Sequence, residues 1–296
     1  MDGTPDFEAL NEAKSNFDAV YNAADPRPYF RTLGRVDYAI PQNARPVFDA
    51  LIAARRSDRD SEAVTVVDIG CSYGINAALL KHGLTLEELY QHYASPDIEA
   101  LDRDALRAID AERLYANPAD PALTMIGLDV ADRAVTYAER VGALDSGLAV
   151  NLEDGPVPAP LVPVVEPTDL IISTGCVGYV TDRTFDRLLG ATGTDTPWVA
   201  SFVLRMFPYA PIEATLADHG LVTEKLDGHF FTQRRFETAG ERAQVLANLA
   251  ELGIDPAGHE AEGRLVSEFF LSRPPAEVER QPLSTLLGSI EAGSPA

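Results

Sequence analysis

Basic residues are scarce in this chain. Against 46 aspartates and glutamates stand 24 lysines and arginines, giving a net charge of -22 over 296 residues. No Lys/Arg run interrupts that balance. So negative a field repels phosphate backbones and anionic lipid, which argues against nucleic acid or a membrane as partner. The acidic excess reads as a solubility device. Cysteine is scarcer still: Cys71 and Cys176 are the two that occur, each ending a predicted strand, without metal-ligand spacing. That usage implies free thiols and a reducing compartment. No apolar run approaches the roughly 20 residues of a membrane-spanning helix. The acidic opening MDGTPDFEAL lacks the order of a signal peptide. The expected location is the cytoplasm.

Apolar residues are plentiful, at 46% of the chain, enough for a sizeable core. Residues 6–22 place Phe7, Leu10, Phe17 and Tyr21 on one side of a helix, and Pro41 opens another. From residue 64, strands and helices alternate. VTVVDI, LTMIGLDV, GLAVNL, TDLIISTGC and PWVASFVLRMF read as buried strands separated by helical segments. Residues 84–118 read as wholly helical, opened by a Thr85/Glu88 capping box. VTEKLDGHFFTQRRFE and RLVSEFFLSRP have strand chemistry and suit an antiparallel edge. FTQRRF itself reads as a solvated strand edge. The expected fold is α/β, with a Rossmann-like, mostly parallel seven-stranded sheet and an antiparallel edge. Residues 1–60 would form an N-terminal helical cap, 61–274 the main domain with 84–118 inserted, and 275–296 a proline-rich, partly disordered tail.

The stretch VVDIGCSYG, residues 66–74, carries the chemistry. It turns from strand to helix, where open α/β sheets bind their ligands. No Gly-Lys-Ser/Thr follows, so it is not a phosphate-binding P-loop. Ser72 and Ile75 stand where the dinucleotide fingerprint needs glycines. Asp68, on the last turn of the strand, would repel a pyrophosphate and attract a cation.

VVDIGCSYG resembles motif I of the class I S-adenosylmethionine-dependent methyltransferases, E/D-x-G-x-G-x-G, with Ser72 in place of the middle glycine. Three further stretches resemble later motifs of that family in register, over residues 64 to about 235. The resemblance implies S-adenosylmethionine as cofactor. Its methionine end would lie on Gly70, Cys71, Ser72 and Gly74, with Asp68 serving the ammonium group. Asp129, followed by Val130, would take the ribose hydroxyls. Leu152 would lie against the adenine and Glu153, or alternatively Asp154, beside its amino group. Ser173, Thr174 and Gly175 would pass under the sulfonium. The distance from Asp68 to Asp129 exceeds the usual ~20 residues, and the helical segment 84–118 accounts for the excess as an insertion.

The same resemblance narrows the reaction by elimination. STGCVGYV follows the fourth strand and lacks the proline pair of enzymes acting on base or glutamine amides. No acid stands there to hold a metal, and Gly178 occupies the place of the plant-type base histidine. Tyr179 or a histidine, His82 foremost, remains as a base; the five histidines show no H-x-H or H-E-x-x-H grouping. Tyr21, Tyr29, Phe30 and Tyr38 are read either as plain core or as the wall of a substrate pocket. Arg205, after the fifth strand, would meet an anionic substrate. Methyl transfer to a small molecule, at O, N or C and without metal, is therefore the expectation, with residues 84–118 as a lid. A peptide or protein acceptor, or a non-catalytic cofactor-binding regulator, are the rivals.

Overall fold

The computed structural model describes residues 18–288. Phe7, Leu10 and Phe17 lie outside them. The sheet has eight strands rather than seven: β1 Val64–Ile69, β2 Leu123–Asp129, β3 Ser146–Ala149, β4 Leu170–Thr174, β5 Trp198–Leu204, β6 Val222–Lys225, β7 Phe231–Arg235 and β8 Arg264–Arg273. Their order is β3-β2-β1-β4-β5-β8-β6, with β7 pairing β8 beside that path. Strands β1 to β5 are parallel, whereas β8 runs antiparallel to β5, β6 and β7. The extra strand arises because VTEKLDGHFFTQRRFE breaks at Gly228, whose φ of +74° lets the chain turn.

Parallel strands buried on both faces explain the near-continuous apolar runs in the sequence. Val64 and Val66 of β1 face the helix Ile40–Arg59 through Phe48, Leu51 and Ile52. Val67 and Ile69 face the other layer, with Phe185 and Leu188 of the helix Asp182–Leu189. The helix Ile40–Arg59 thus belongs to the sheet's own core. Strand order reverses between β1 and β4, so their C-terminal ends diverge into the crevice where such folds bind ligands.

The insertion is helical, in pieces: Leu86–Ala94, Pro96–Glu99 and Arg103–Asp110, followed by a π-turn at Ala111–Tyr115. Its capping box forms, with the Glu88 amide donating to Thr85 Oγ1 at 3.2 Å and the Thr85 amide to Glu88 Oε2 at 2.7 Å. It packs on the helix Arg27–Gly34, where Phe30 stacks on Tyr93 with centroids 4.5 Å apart. A buried Asp110 accepts hydroxyls from Tyr93 and Tyr137, at 2.7 and 2.6 Å, and ties the insertion to the helix Asp132–Val141. Residues 275–288 of the tail are more ordered than its prolines suggest. Helices Pro275–Arg280 and Leu283–Leu286 follow β8, and Leu283 and Leu287 are buried in the core.

Candidate active site

A cavity of about 430 Å³ opens at the strand ends, within the ~300–1,000 Å³ typical of small-ligand sites. Its floor is the turn after β1. Gly70 takes φ +75°, and a Cβ there would come within 2.7 Å of the Cys176 Cβ. The turns after β1 and β4 therefore cross in contact, which only glycine allows. Ser72 also sits in the left-handed region, at φ +48°. The family's middle glycine would suit that backbone; serine holds it at a cost of about 1–2 kcal/mol. A hydrogen bond compensates: the Ser72 amide donates to Asp129 Oδ2 at 2.8 Å.

Asp129, the last residue of β2, accepts a second amide bond on Oδ1, from Ala131 at 3.0 Å. A carboxylate has about four lone-pair sites, so two remain for a ligand while the backbone fixes its orientation. Val130, 66% exposed, forms one lip of the cavity, and the buried Leu152 lies in its wall. Glu153 is more committed. It accepts from the Thr181 amide and hydroxyl at 2.9 and 2.6 Å and from the Thr184 hydroxyl at 2.5 Å. Burial pushes its carboxyl up, but these bonds win and hold it below the usual carboxylate range. Glu153 thereby anchors the start of the helix Asp182–Leu189 while still bordering the cavity. Asp154 instead accepts from the Asn151 side chain.

Asp68 lies fully buried beneath the turn. Asn76 donates to its Oδ1 at 3.0 Å and to the Thr174 hydroxyl at 3.2 Å, while Oδ2 has no partner. Burial, with Asp129 nearby, raises its carboxyl to about 7, against the Asn76 bond that lowers it. Ser72 Oγ is likewise buried without a partner. Two buried oxygens thus lack a partner, that of Ser72 on a residue bordering the cavity and that of Asp68 on one that does not.

Thr174 and Gly175 border the cavity, but Ser173 does not; its hydroxyl turns into the sheet and meets Ser201 Oγ at 3.0 Å. Gly74 backs onto Ala143 and Leu144 beneath the turn. Tyr21, Tyr29 and Tyr38 form a wall at the Asp68 end, with Tyr21–Tyr29 and Tyr29–Tyr38 centroids 5.7 and 6.4 Å apart. Tyr179 stands at the rim, 49% exposed.

Besides Asp68, Gly74 and Ser173, which do not border the cavity, three further expected site residues lie elsewhere. Phe30 is sandwiched in the insertion's aromatic cluster and does not reach the cavity. His82 is buried, with Nε2 3.3 Å from the Ala143 carbonyl and its ring edge-on to Tyr115. Burial lowers its pKa, and it has no path to the strand ends. Arg205 points away, binding Glu260 Oε2 at 2.7 Å and the Asp255 carbonyl at 2.8 Å. The expected lid is also corrected, since no residue of 84–118 borders this cavity. The N-terminal segment covers it instead, pinned by Asn22 to Asp132 and the Arg133 amide. The insertion braces that cover from behind, through the Tyr90 hydroxyl on the Tyr38 carbonyl at 2.9 Å.

Three unanticipated side chains complete the site. Asn76, a polar residue in the apolar run INAALL, was signalled by that contrast. Gln233 and its neighbour Arg234 belong to FTQRRF, which is not a solvated edge: both are buried and border the cavity. Arg234 is matched by Glu241 at 2.5 Å. Among the described residues, no cluster of three metal-binding side chains occurs.

No family model matches the chain, and no curated protein does. Among solved structures it is similar to the plantazolicin methyltransferase BamL in complex with a triazolic desmethylPZN analog and SAH. That match has 12% identity and a TM-score of 0.46, over 90% of this chain and 96% of that one. The magnesium protoporphyrin IX methyltransferase (ChlM) from Synechocystis PCC 6803 with bound SAM aligns at 11% identity and a TM-score of 0.40, over 93% and 100%. The fold is a mostly parallel α/β sheet whose strand order reverses between β1 and β4. What the chain acts on does not follow from the likeness.

Proposed function

We propose that this protein transfers a methyl group from S-adenosylmethionine to a small-molecule acceptor, without a metal. The observation that carries the reading is Asp129, held by the Ser72 and Ala131 amides at the switch point with two lone-pair sites free. The remaining residues fit the same ligand. Asp129 accepts the ribose hydroxyls, while Val130 and Leu152 flank the adenine. The orphaned oxygens of Asp68 and Ser72 receive the amino-acid end. Bound there, the cofactor would supply a methyl group activated by a positively charged sulfur. The protein's part is alignment, worth up to about 7–11 kcal/mol, and exclusion of water. Tyr21, Tyr29 and Tyr38 supply the water-excluding wall.

One observation favours a peptide acceptor as the second reading. Tyr38 also borders an open groove of about 1020 Å³ between the helices Arg27–Gly34 and Leu86–Ala94. Incubation with methyl-labelled S-adenosylmethionine and fractionated cell extract separates the readings. Label in small molecules supports the proposal, and label in protein alone favours the second reading. Binding without transfer would make the chain a regulator.

A further inference from the structure

We infer that Gln233 reads the methyl-accepting atom, and that this atom is an amine nitrogen bearing at least one N–H. The inference rests on the cofactor reading above and narrows its acceptor. Gln233 lies on β7 with its amide against Gly175, immediately beyond β4; a Cβ on Gly175 would collide with Gln233 Nε2. The side chain is 95% buried (5% exposed), and its Oε1 has no hydrogen-bond partner. Buried amide oxygens are almost always matched, so one left unmatched on a residue that borders the cavity marks where a ligand's donor belongs. Its position is fixed by the backbone. The Ala39 amide donates to the Gln233 carbonyl at 2.8 Å, and Asn43 Nδ2 to the Thr232 carbonyl at 2.7 Å.

Charge selects nitrogen among the donors. Asp129 and Glu153 border the cavity, whereas Arg234 is neutralised by its buried partner Glu241. An anionic acceptor would be repelled. A nitrogen turning cationic gains from the carboxylates and from the tyrosine ring faces. In the transfer, the lone pair of the neutral amine forms the new N–C bond as the methyl–sulfur bond breaks. The electron pair of that bond stays on sulfur, and the positive charge passes to nitrogen. The N–H proton remains on nitrogen, donating to Gln233 Oε1, and is later released to water. No side-chain base is required.

The test needs no substrate. Sinefungin carries an amine-bearing carbon where the cofactor has its methylated sulfur, so it adds an ammonium that S-adenosylhomocysteine lacks. By calorimetry, sinefungin should bind the wild-type protein at least ~10-fold tighter than S-adenosylhomocysteine, or about 1.4 kcal/mol. Gln233→Leu should remove that advantage and leave S-adenosylhomocysteine affinity unchanged, while Gln233→Glu should retain it. Equal affinities in the wild type, or an advantage surviving Gln233→Leu, would overturn the inference. Loss of both ligands in Gln233→Leu and Gln233→Glu alike would make Gln233 a packing residue and overturn it too. Failure of the wild type to bind either ligand would instead bring down the cofactor reading, and this inference with it.

Discussion

Replacing Asp68 by asparagine should stabilise the empty protein while impairing its site. The Asp68 carboxyl rises from 3.8 to about 7 because it is buried, with the Asp129 carboxylate near and Asn76 Nδ2 as the donor on Oδ1. The Tyr38 hydroxyl and the Cys71 thiol also feel its charge. Below pH ~4 the carboxyl is protonated in folded and unfolded chains alike. Between about 4 and 7 the folded state keeps a proton that the unfolded state has released, so stability falls as pH rises through that window. At pH 8 the whole penalty is present. About three pKa units at ~1.4 kcal/mol each make it roughly 4 kcal/mol. Asparagine keeps an oxygen for the Asn76 bond but exchanges the unpartnered Oδ2 for an unpartnered amide, which costs about 1–3 kcal/mol. A net gain of about 1–3 kcal/mol remains, on the order of 2–6 °C in melting temperature. Thermal melts at pH 8 and pH 5 read it directly. The gain should vanish at pH 5, where the wild-type carboxyl is already neutral, and S-adenosylmethionine affinity at pH 8 should fall. A melting temperature at pH 8 equal to or below wild type would refute the reasoning, as would a gain equally large at pH 5.

Asp129→Ala should weaken S-adenosylmethionine binding by at least ~10-fold in calorimetry, since each lost charge-assisted bond is worth about 1.5–3 kcal/mol. Unchanged affinity would remove Asp129 from the site. Arg205→Ala strands Glu260 without its buried partner and should cost about 3–5 kcal/mol in denaturant unfolding, yet leave cofactor affinity intact. A selective loss of affinity would return Arg205 to the ligand. Turnover should survive exhaustive chelation, and a loss with EDTA that Mg²⁺ restores would contradict the metal-free reading.

The parallel strands and their order along the chain were legible because burial on both faces writes itself as β-branched runs. The turn after β1 was legible because its glycines and acid are contiguous. Asp129 was found despite the long insertion, since the strand–acid–helix pattern repeats locally. Arg234 and Gln233 were hidden for a physical reason. Two arginines in FTQRRF look solvated until Glu241, on a later helix, is known to neutralise one of them. Arg205 misled in the mirror-image way, with Glu260 lying 55 residues further on. The helical nature of 84–118 showed in its capping box. Its position did not, because that depends on Phe30 and Tyr38 in the N-terminal segment. His82 looked catalytic from its expected place on a helix near the mouth, but the Ala143 carbonyl and the Tyr115 ring, contributed from later in the chain, enclose it.

The stitching of residues 39 and 43 to β7 also sets an order of assembly during synthesis. Asn43 and Thr232 are 189 positions apart. At about 5–20 residues per second, that separation is roughly 10–40 s of translation. The turn after β1 and the ends of β2 and β4 emerge well within that interval, so the Asp129 end has its strands before the tyrosine wall has all of its support. Until β7 leaves the ribosome, the Ala39 amide has no Gln233 carbonyl to meet, and the segment carrying Tyr29 and Tyr38 rests on its ties to earlier elements, Asn22 to Asp132 and Tyr90 to the Tyr38 carbonyl. The two ends of one cavity are thus made at different times, and the end that would choose the acceptor is completed second.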